Sequence, residues 1–294
     1  MDKLPGQILF KHKTIKNPCS FTGIGLHSGK PVTVKLLAAK KGQGIVFIRT
    51  DITAVAQKIK VCPQNIQKAP LGSCLRNKAG ISIKTLEHFM AVLFSLGISN
   101  LLVEIDGPEM PILKGDAYSY LVLLKEAGLR EQETEASLTP LVLAENINLS
   151  DGYGQLTYFP ASKLSITYTV NYENSLIGNQ QYHYEHTLAN FETEISRART
   201  FCFYQDVEKM QQAGLALGGS LDNALVVYED RYSSPLCYPE EPVRHKILDL
   251  IGDLYLLGRP LLGQIKASKS NHALNGALVQ KLAENNQTTG SASR

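Results

Sequence analysis

The segment 242–253 constrains this chain more than any other. Val243, Ile247, Leu250, Ile251 and Leu254 recur at i, i+4, i+7, i+8 and i+11, the period of a helix buried along one side. Pro242 suits a first helical turn, and Gly258 followed by Pro260 supplies a stop. The spacing predicts a helix. At about 100° per residue, His245, Asp249, Gly252 and Leu256 form a second stripe roughly opposite the apolar one, with Lys246 and Asp253 on its flank. An imidazole and a carboxylate four residues apart can reach one point in space, and Gly252 is expected to leave that point uncrowded. A solvated His/Asp pair supporting the helix has the same spacing, so this stripe alone does not separate a site from a polar surface.

A second segment, 81–97, carries a matching oddity. Leu86, Phe89, Met90, Leu93 and Leu96 mark an apolar helical face, Thr85 is expected as the N-cap and Gly97 as the residue past the C-terminus. Glu87 and His88 lie off that face in the first turn, on a stripe continued only by Ala91 and Ser95. Two large polar groups thus face a place bordered by small residues. A glutamate in a first turn also favours the helix dipole whatever else it does.

The remaining sequence excludes several classes. A net charge of +3 over 294 residues fits a phosphate-bearing ligand and falls far short of a nucleic-acid footprint. The five cysteines are scattered without a CxxC pair, as expected of reduced thiols in the cytoplasm. No apolar run approaches the roughly 20 residues of a membrane span. Gly23-Ile24-Gly25-Leu26-His27-Ser28-Gly29-Lys30 resembles a phosphate loop but has Ile24, Ser28 and Pro31 where the Walker and dinucleotide patterns need other residues. It reads as a Gly-rich hairpin with His27 at its tip, open to a ligand or merely a turn residue. His183 and His186, an odd offset in an alternating strand, are expected on opposite faces and at the surface.

The polar run 131–137 is the best linker in the chain. It divides the chain into an α+β domain at 1–135 and a second at 136–294. Both halves contain a helix, a Leu-Gly stop, an apolar strand, a loop and a helix, with Glu87-His88 opening one unit and Arg244-His245 the other. Two such units packed face to face would bring both histidine-bearing helices together.

His88, His245 and Asp249 then form a set suited to zinc, with a fourth position left for water whose pKa falls to roughly 7. Glu87, turned one residue from His88, is placed to act as general base beside the metal. His272, in a loop able to reach back to Asp253, is expected as an oriented imidazolium; a capping role for this loop histidine fits its residue type equally well.

Leu86-Glu87-His88, Ser196-Arg197-Ala198-Arg199-Thr200, Leu217-Gly218-Gly219-Ser220, the run 243–249 with Gly252-Asp253, and His272-Ala273-Leu274-Asn275 together resemble the zinc-dependent UDP-3-O-acyl-N-acetylglucosamine deacetylases of lipid A synthesis. Gly25-Leu26-His27 and the run 108–115 fit the same family. The resemblance implies two similar domains, each a sheet layered with helices, the helices packed together between the sheets. It implies Zn²⁺, with Fe²⁺ as the alternative ion, on His88, His245 and Asp249, with Glu87 as base and His272, oriented by Asp253, as acid or electrostatic partner. It also implies Thr200 polarising the acetyl carbonyl, Lys246 contacting substrate, and an apolar acyl passage over 201–220 lined by Phe201, Phe203, Val207, Ala216 and Leu217. The expected substrate is a UDP-linked acylated amino sugar and the expected protein a cytoplasmic monomer, with at most peripheral contact to lipid. Asn271 and Met90 depart from the family's pattern without touching a proposed ligand.

Overall fold

The computed structural model describes residues 10–53, 57–69, 71–133, 137–174 and 176–291, with side chains to 286. The domain boundary expected between 135 and 136 lies outside the described residues.

Two five-stranded sheets carry the architecture, and their strand orders match. The first runs β2 (Cys19–Ile24), β3 (Pro31–Ala38), β8 (Leu101–Ile105), β4 (Ile45–Arg49) and β5 (Lys58–Lys60). The second runs β10 (Ile147–Ser150), β11 (Gln155–Phe159), β16 (Gly263–Ser268), β12 (Leu164–Asn171) and β13 (Asn179–Glu185). In each sheet one pair is parallel, β4 with β8 and β12 with β16, and the other pairs are antiparallel. The repeat seen in the sequence is therefore a repeat of topology. Among the described residues, three two-stranded pairs accompany them: β1 (His12–Ile15) with β9 (Leu129–Gln132), β6 (Cys74–Arg76) with β7 (Ser82–Lys84), and β14 (Phe201–Phe203) with β15 (Leu225–Val227).

The crossover into each parallel pair contains a helix: α1 (Glu87–Leu96) leads into β8, and α5 (Glu241–Tyr255) leads into β16. α2 (Tyr118–Ala127) and α6 (His272–Ser291) follow those strands, and α3 (Leu188–Asn190) and α4 (Tyr204–Gln212) belong to the second half alone. Strand alternation supplies the inward faces: Val32, Val34 and Leu36 of β3, and Leu164, Ile166, Tyr168 and Val170 of β12, are buried between exposed or partly exposed neighbours. Phe89 of α1 meets Phe47 of β4 edge to face at 6.4 Å between ring centroids. α5 lies against β12 and β13 on one side and against α1 on the other. The order is sheet, helices, sheet.

That layering removes one alternative and corrects one expectation. The polar stripe of α5 is not solvated, because α1 covers it: His245, Asp249, Gly252 and Asp253 are all buried. Nor does Gly252 leave room for a ligand. A Cβ there would lie 1.9 Å from the Glu87 carbonyl oxygen, so the glycine is where the two helix backbones cross. α1 likewise buries Glu87 and His88 along with its apolar face.

Other differences are local. Thr85 does not cap α1: it sits at φ +58, donates its hydroxyl to Glu109 Oε1 at 3.1 Å, and leaves Ser73 Oγ to accept the Leu86 N–H at 2.8 Å. Gly97 does end α1, at φ 70. The expected linker opens as strand β9, where Glu131 pairs with Lys11 at 2.7 Å. The last helix, α6, runs to Ser291. His183 is exposed, but His186 is half-buried against Phe94, 4.4 Å between ring centroids, where burial pushes its pKa down to about 4.

Candidate active site

The crossing of α1 and α5 places three donor groups at one point. The Nε2 atoms of His88 and His245 lie 3.5 and 3.3 Å from Asp249 Oδ1, and one donor atom from each residue falls within 4.8 Å of the others. A tetrahedral ion with bonds near 2.0–2.1 Å holds its ligand atoms about 3.3 Å apart. The two distances to Asp249 therefore match the edges of such a tetrahedron.

The protonation of His245 and Asp249 agrees. His245 Nδ1 donates to the Ala198 carbonyl oxygen at 3.0 Å, which leaves the Nε2 lone pair directed at the cluster. Burial pushes this imidazole down to about 4, so it is neutral at pH 7. Burial alone would raise Asp249, but His245 and the Lys246 ammonium, bonded to Oδ2 at 2.9 Å, hold its carboxyl well below the usual range. The His245 Nε2 lone pair and the Asp249 carboxylate thus converge in a buried space beside His88 Nε2, a donor set that a cation between them would complete.

Beside this cluster stands a second one. His272 Nδ1 and Asp253 Oδ2 are 2.7 Å apart, and Asn275 Nδ2 donates to the same oxygen at 2.8 Å. His272 Nε2 faces Glu87 Oε1 and Asp249 Oδ2, each at 4.0 Å. Burial opposes the charge on His272, yet Asp253 and Glu87 outweigh it and raise the imidazole to about 10. Burial pushes Asp253 up in turn, with the His272 ring against it pulling the other way. Glu87 is likewise desolvated, but the facing His272 and His88 bring it below its ordinary value. Glu87, Asp253 and His272 also gather three donor atoms within 4.8 Å. A protonated ring bonded to a carboxylate offers no lone pair, so of the two groups the first is the one suited to a metal.

Glu87 is held from behind. Ser73 N–H donates to Oε2 at 2.9 Å and Ser73 Oγ–H donates to the same oxygen, which leaves Oε1 turned toward His272. Gly72 keeps close quarters there, since a Cβ would stand 3.1 Å from Glu87 Oε1. Neither Ser73 nor Ala198 had a signal in the sequence: one is a lone serine in an aperiodic stretch, the other acts through its backbone.

His88, His245 and Asp249, with Glu87 and His272 of the second cluster, line a cavity of about 810 Å³, and Asp253 stands behind His272, outside the lining. Thr200 reaches it from the strap between Ser196 and β14, held by its N–H on the Gly115 carbonyl at 2.8 Å; among the described residues its hydroxyl has no hydrogen-bond partner. Lys246, Phe201, Val207 and Ala216 line the cavity, whereas Phe203 and Leu217 do not. Phe203 packs on Tyr172 at 5.3 Å, and Leu217 is 53% exposed with its backbone against Gly29. Tyr168, Val170, Met210 and Val226 line the wall instead. His27 also reaches the lining, its Nδ1 accepting from Ala216 N–H at 3.3 Å and its own N–H donating to buried Glu109 at 2.8 Å.

Residues 12–284 match the family model described as UDP-3-O-acyl N-acetylglycosamine deacetylase. The chain is 44% identical over 275 residues to a UDP-3-O-acyl-N-acetylglucosamine deacetylase of Myxococcus xanthus, covering 93% of this chain and 86% of the relative. It is 42% identical to the Anaeromyxobacter protein of that name, covering 93% and 88% of the two chains. It is 39% identical to the one from Phenylobacterium zucineum, covering 94% of both.

Proposed function

The chain belongs to the UDP-3-O-acyl N-acetylglycosamine deacetylase family, and from that premise we propose how its own residues carry out the deacetylation. The enzyme hydrolyses the N-acetyl amide of UDP-3-O-acyl-N-acetylglucosamine, the lipid A step in which acetate leaves and the 2-amino group is freed. The observation that carries the residue assignment is the convergence of His88 and His245, from helices in different halves, with Asp249 on one buried point.

His88, His245 and Asp249 would hold the metal, and the imidazole and carboxylate donors suit Zn²⁺, with Fe²⁺ accommodated by the same set. A divalent ion there supplies Lewis acidity toward a water and the acetyl carbonyl. Glu87 accepts the water's proton on Oε1, the oxygen that Ser73 leaves free. The Thr200 hydroxyl donates to the carbonyl oxygen as it gains charge. His272, charged and held by Asp253, faces the same space at 4.0 Å from Glu87 and gives its proton to the departing nitrogen. Water thus adds across the C–N bond: its oxygen goes to acetate and its proton, through these side chains, to the amine.

Lys246 spends one donor on Asp249 and has two left for the substrate. The wall formed by Phe201, Val207, Met210, Ala216 and Val226 takes the 3-O-acyl chain. Among the described residues no helix is long and apolar enough to cross a membrane; a cytoplasmic monomer that meets its lipid-like substrate peripherally is part of the proposal.

The test is acetate release by Glu87→Gln alongside metal analysis. The variant is expected to keep about one ion per chain and lose turnover by about 10²–10⁴-fold. A protein that bound the sugar nucleotide with no turnover even before substitution would be a binding module, and the assignment would fall.

A further inference from the structure

Among the described residues of the second half, fully buried Glu241 and half-buried Arg199 form the most thoroughly bonded ion pair, and the proposed chemistry does not use it. Glu241 is fully buried at the first turn of α5, one helical turn before His245. Its Oε1 accepts from Arg199 N–H at 3.0 Å and Arg199 Nε at 2.7 Å. Its Oε2 accepts from Arg199 Nη2 at 3.0 Å and Cys237 N–H at 2.7 Å. The guanidinium also donates to Ser234 Oγ at 2.6 Å and to the Pro235 carbonyl at 2.8 Å.

Burying a carboxylate such as that of Glu241 costs several kcal/mol, and packed apolar residues often do as well for stability. The position of the pair is therefore informative. Arg199 lies between Ala198, whose carbonyl holds His245 Nδ1 at 3.0 Å, and Thr200, which faces the cavity. The strap around it is tied to the first half as well: Ala117 and Tyr118 N–H donate to the Ser196 carbonyl at 2.9 and 2.7 Å. A closed ring results, from Glu241 along α5 to His245, across to Ala198, and back through Arg199 to Glu241. Within that ring the imidazole cannot rotate unless the strap moves, and the strap is bonded to the helix that carries the ring.

We infer that Glu241 and Arg199 are positioning residues for the metal centre, fixing the Ala198 carbonyl on His245 so that Nε2 points at the ion. This rests on the reading that His88, His245 and Asp249 hold a divalent ion. Neither residue touches substrate or metal. Loss of the pair frees the strap, and the orientation of His245 goes with it.

The experiment is a titration of the metal-free protein with Co²⁺, followed by its visible absorption, for wild type, Glu241→Gln and Arg199→Lys. The unfolding midpoint of each metal-free protein and kcat and KM of each reloaded enzyme are measured alongside. Substitution of an outer-shell partner typically costs about 10–100-fold in metal affinity or activity, and that is the expected rise in the Co²⁺ dissociation constant. The fall is expected in kcat, with KM within about twofold, and the double variant is expected to be little worse than the poorer single one. Arg199→Lys keeps the charge opposite Glu241, so it decides the matter by the same titration should Glu241→Gln fail to fold. A lowered unfolding midpoint with Co²⁺ affinity and spectrum unchanged would overturn the inference and leave the pair a structural tie. Failure of the wild type itself to bind Co²⁺ would instead overturn the metal reading beneath it.

Discussion

Gly252→Ala tests whether the helix crossing sets the geometry of the centre. The added methyl would lie 1.9 Å from the Glu87 carbonyl oxygen, 2.6 Å from its carbon and 2.8 Å from Cα, all backbone atoms that no side-chain rotation can clear. Reaching an ordinary contact of 3.4 Å requires α1 and α5 to separate by about 1.5 Å at this point. Overpacking of this kind costs roughly 1–3 kcal/mol, offset by the ~1 kcal/mol that alanine gains over glycine within a helix. The net loss of about 0–2 kcal/mol should lower the thermal midpoint by only a few degrees. The functional loss should be far larger, because Glu87 and His88 ride on α1 while His245 and Asp249 ride on α5. A displacement near 1 Å can cost about 10²-fold in rate. The assay is kcat and metal affinity beside thermal unfolding: the expected result is a folded variant with activity down by about 10²-fold or more. Unchanged activity and metal affinity would refute the argument that the backbone contact at Gly252 spaces the site.

Two other outcomes check separate parts of the account. In the metal-free protein the folded-state pKa of His272 lies near 10, above its ordinary value, so its contribution to stability is complete below about pH 6.5 and is lost as pH rises toward 10. NMR titration of its ring should show this raised pKa and a decrease when a divalent ion is added; a value at or below 6.5 would remove the imidazolium from the mechanism. Shortening the 3-O-acyl chain should reduce kcat/KM strongly, by roughly tenfold for every two methylenes withdrawn from the apolar wall at ~0.8 kcal/mol each, and indifference to chain length would detach that wall from substrate.

Much of this was legible in the sequence because the polar residues lie at helical spacing. His245 and Asp249 announce themselves four residues apart, and the echo of Glu87-His88 in the other half points to a shared centre. What stayed hidden depends on neighbours distant in the chain. Periodicity marked one face of α5 as apolar but could not show that α1 seals the opposite face, so Gly252 read as space for a ligand when it is space for a backbone. Thr85 has the chemistry of a cap, yet buried Glu109 claims its hydroxyl and holds it at positive φ. Phe203 and Leu217 are as apolar as Val207 and Ala216, and only the path of the strand and loop decides which of them face the cavity. Ser73 and Ala198, which fix Glu87 and His245, leave no trace in spacing at all.

The central claim is that a single divalent ion sits where α1 crosses α5. Anomalous scattering from a crystal of the metal-loaded protein tests it most directly. The account predicts one strong peak within about 2.0–2.2 Å of His88 Nε2, His245 Nε2 and an Asp249 carboxylate oxygen. A peak held instead by Glu87, Asp253 and His272, with the His88 site empty at full occupancy elsewhere, would contradict it.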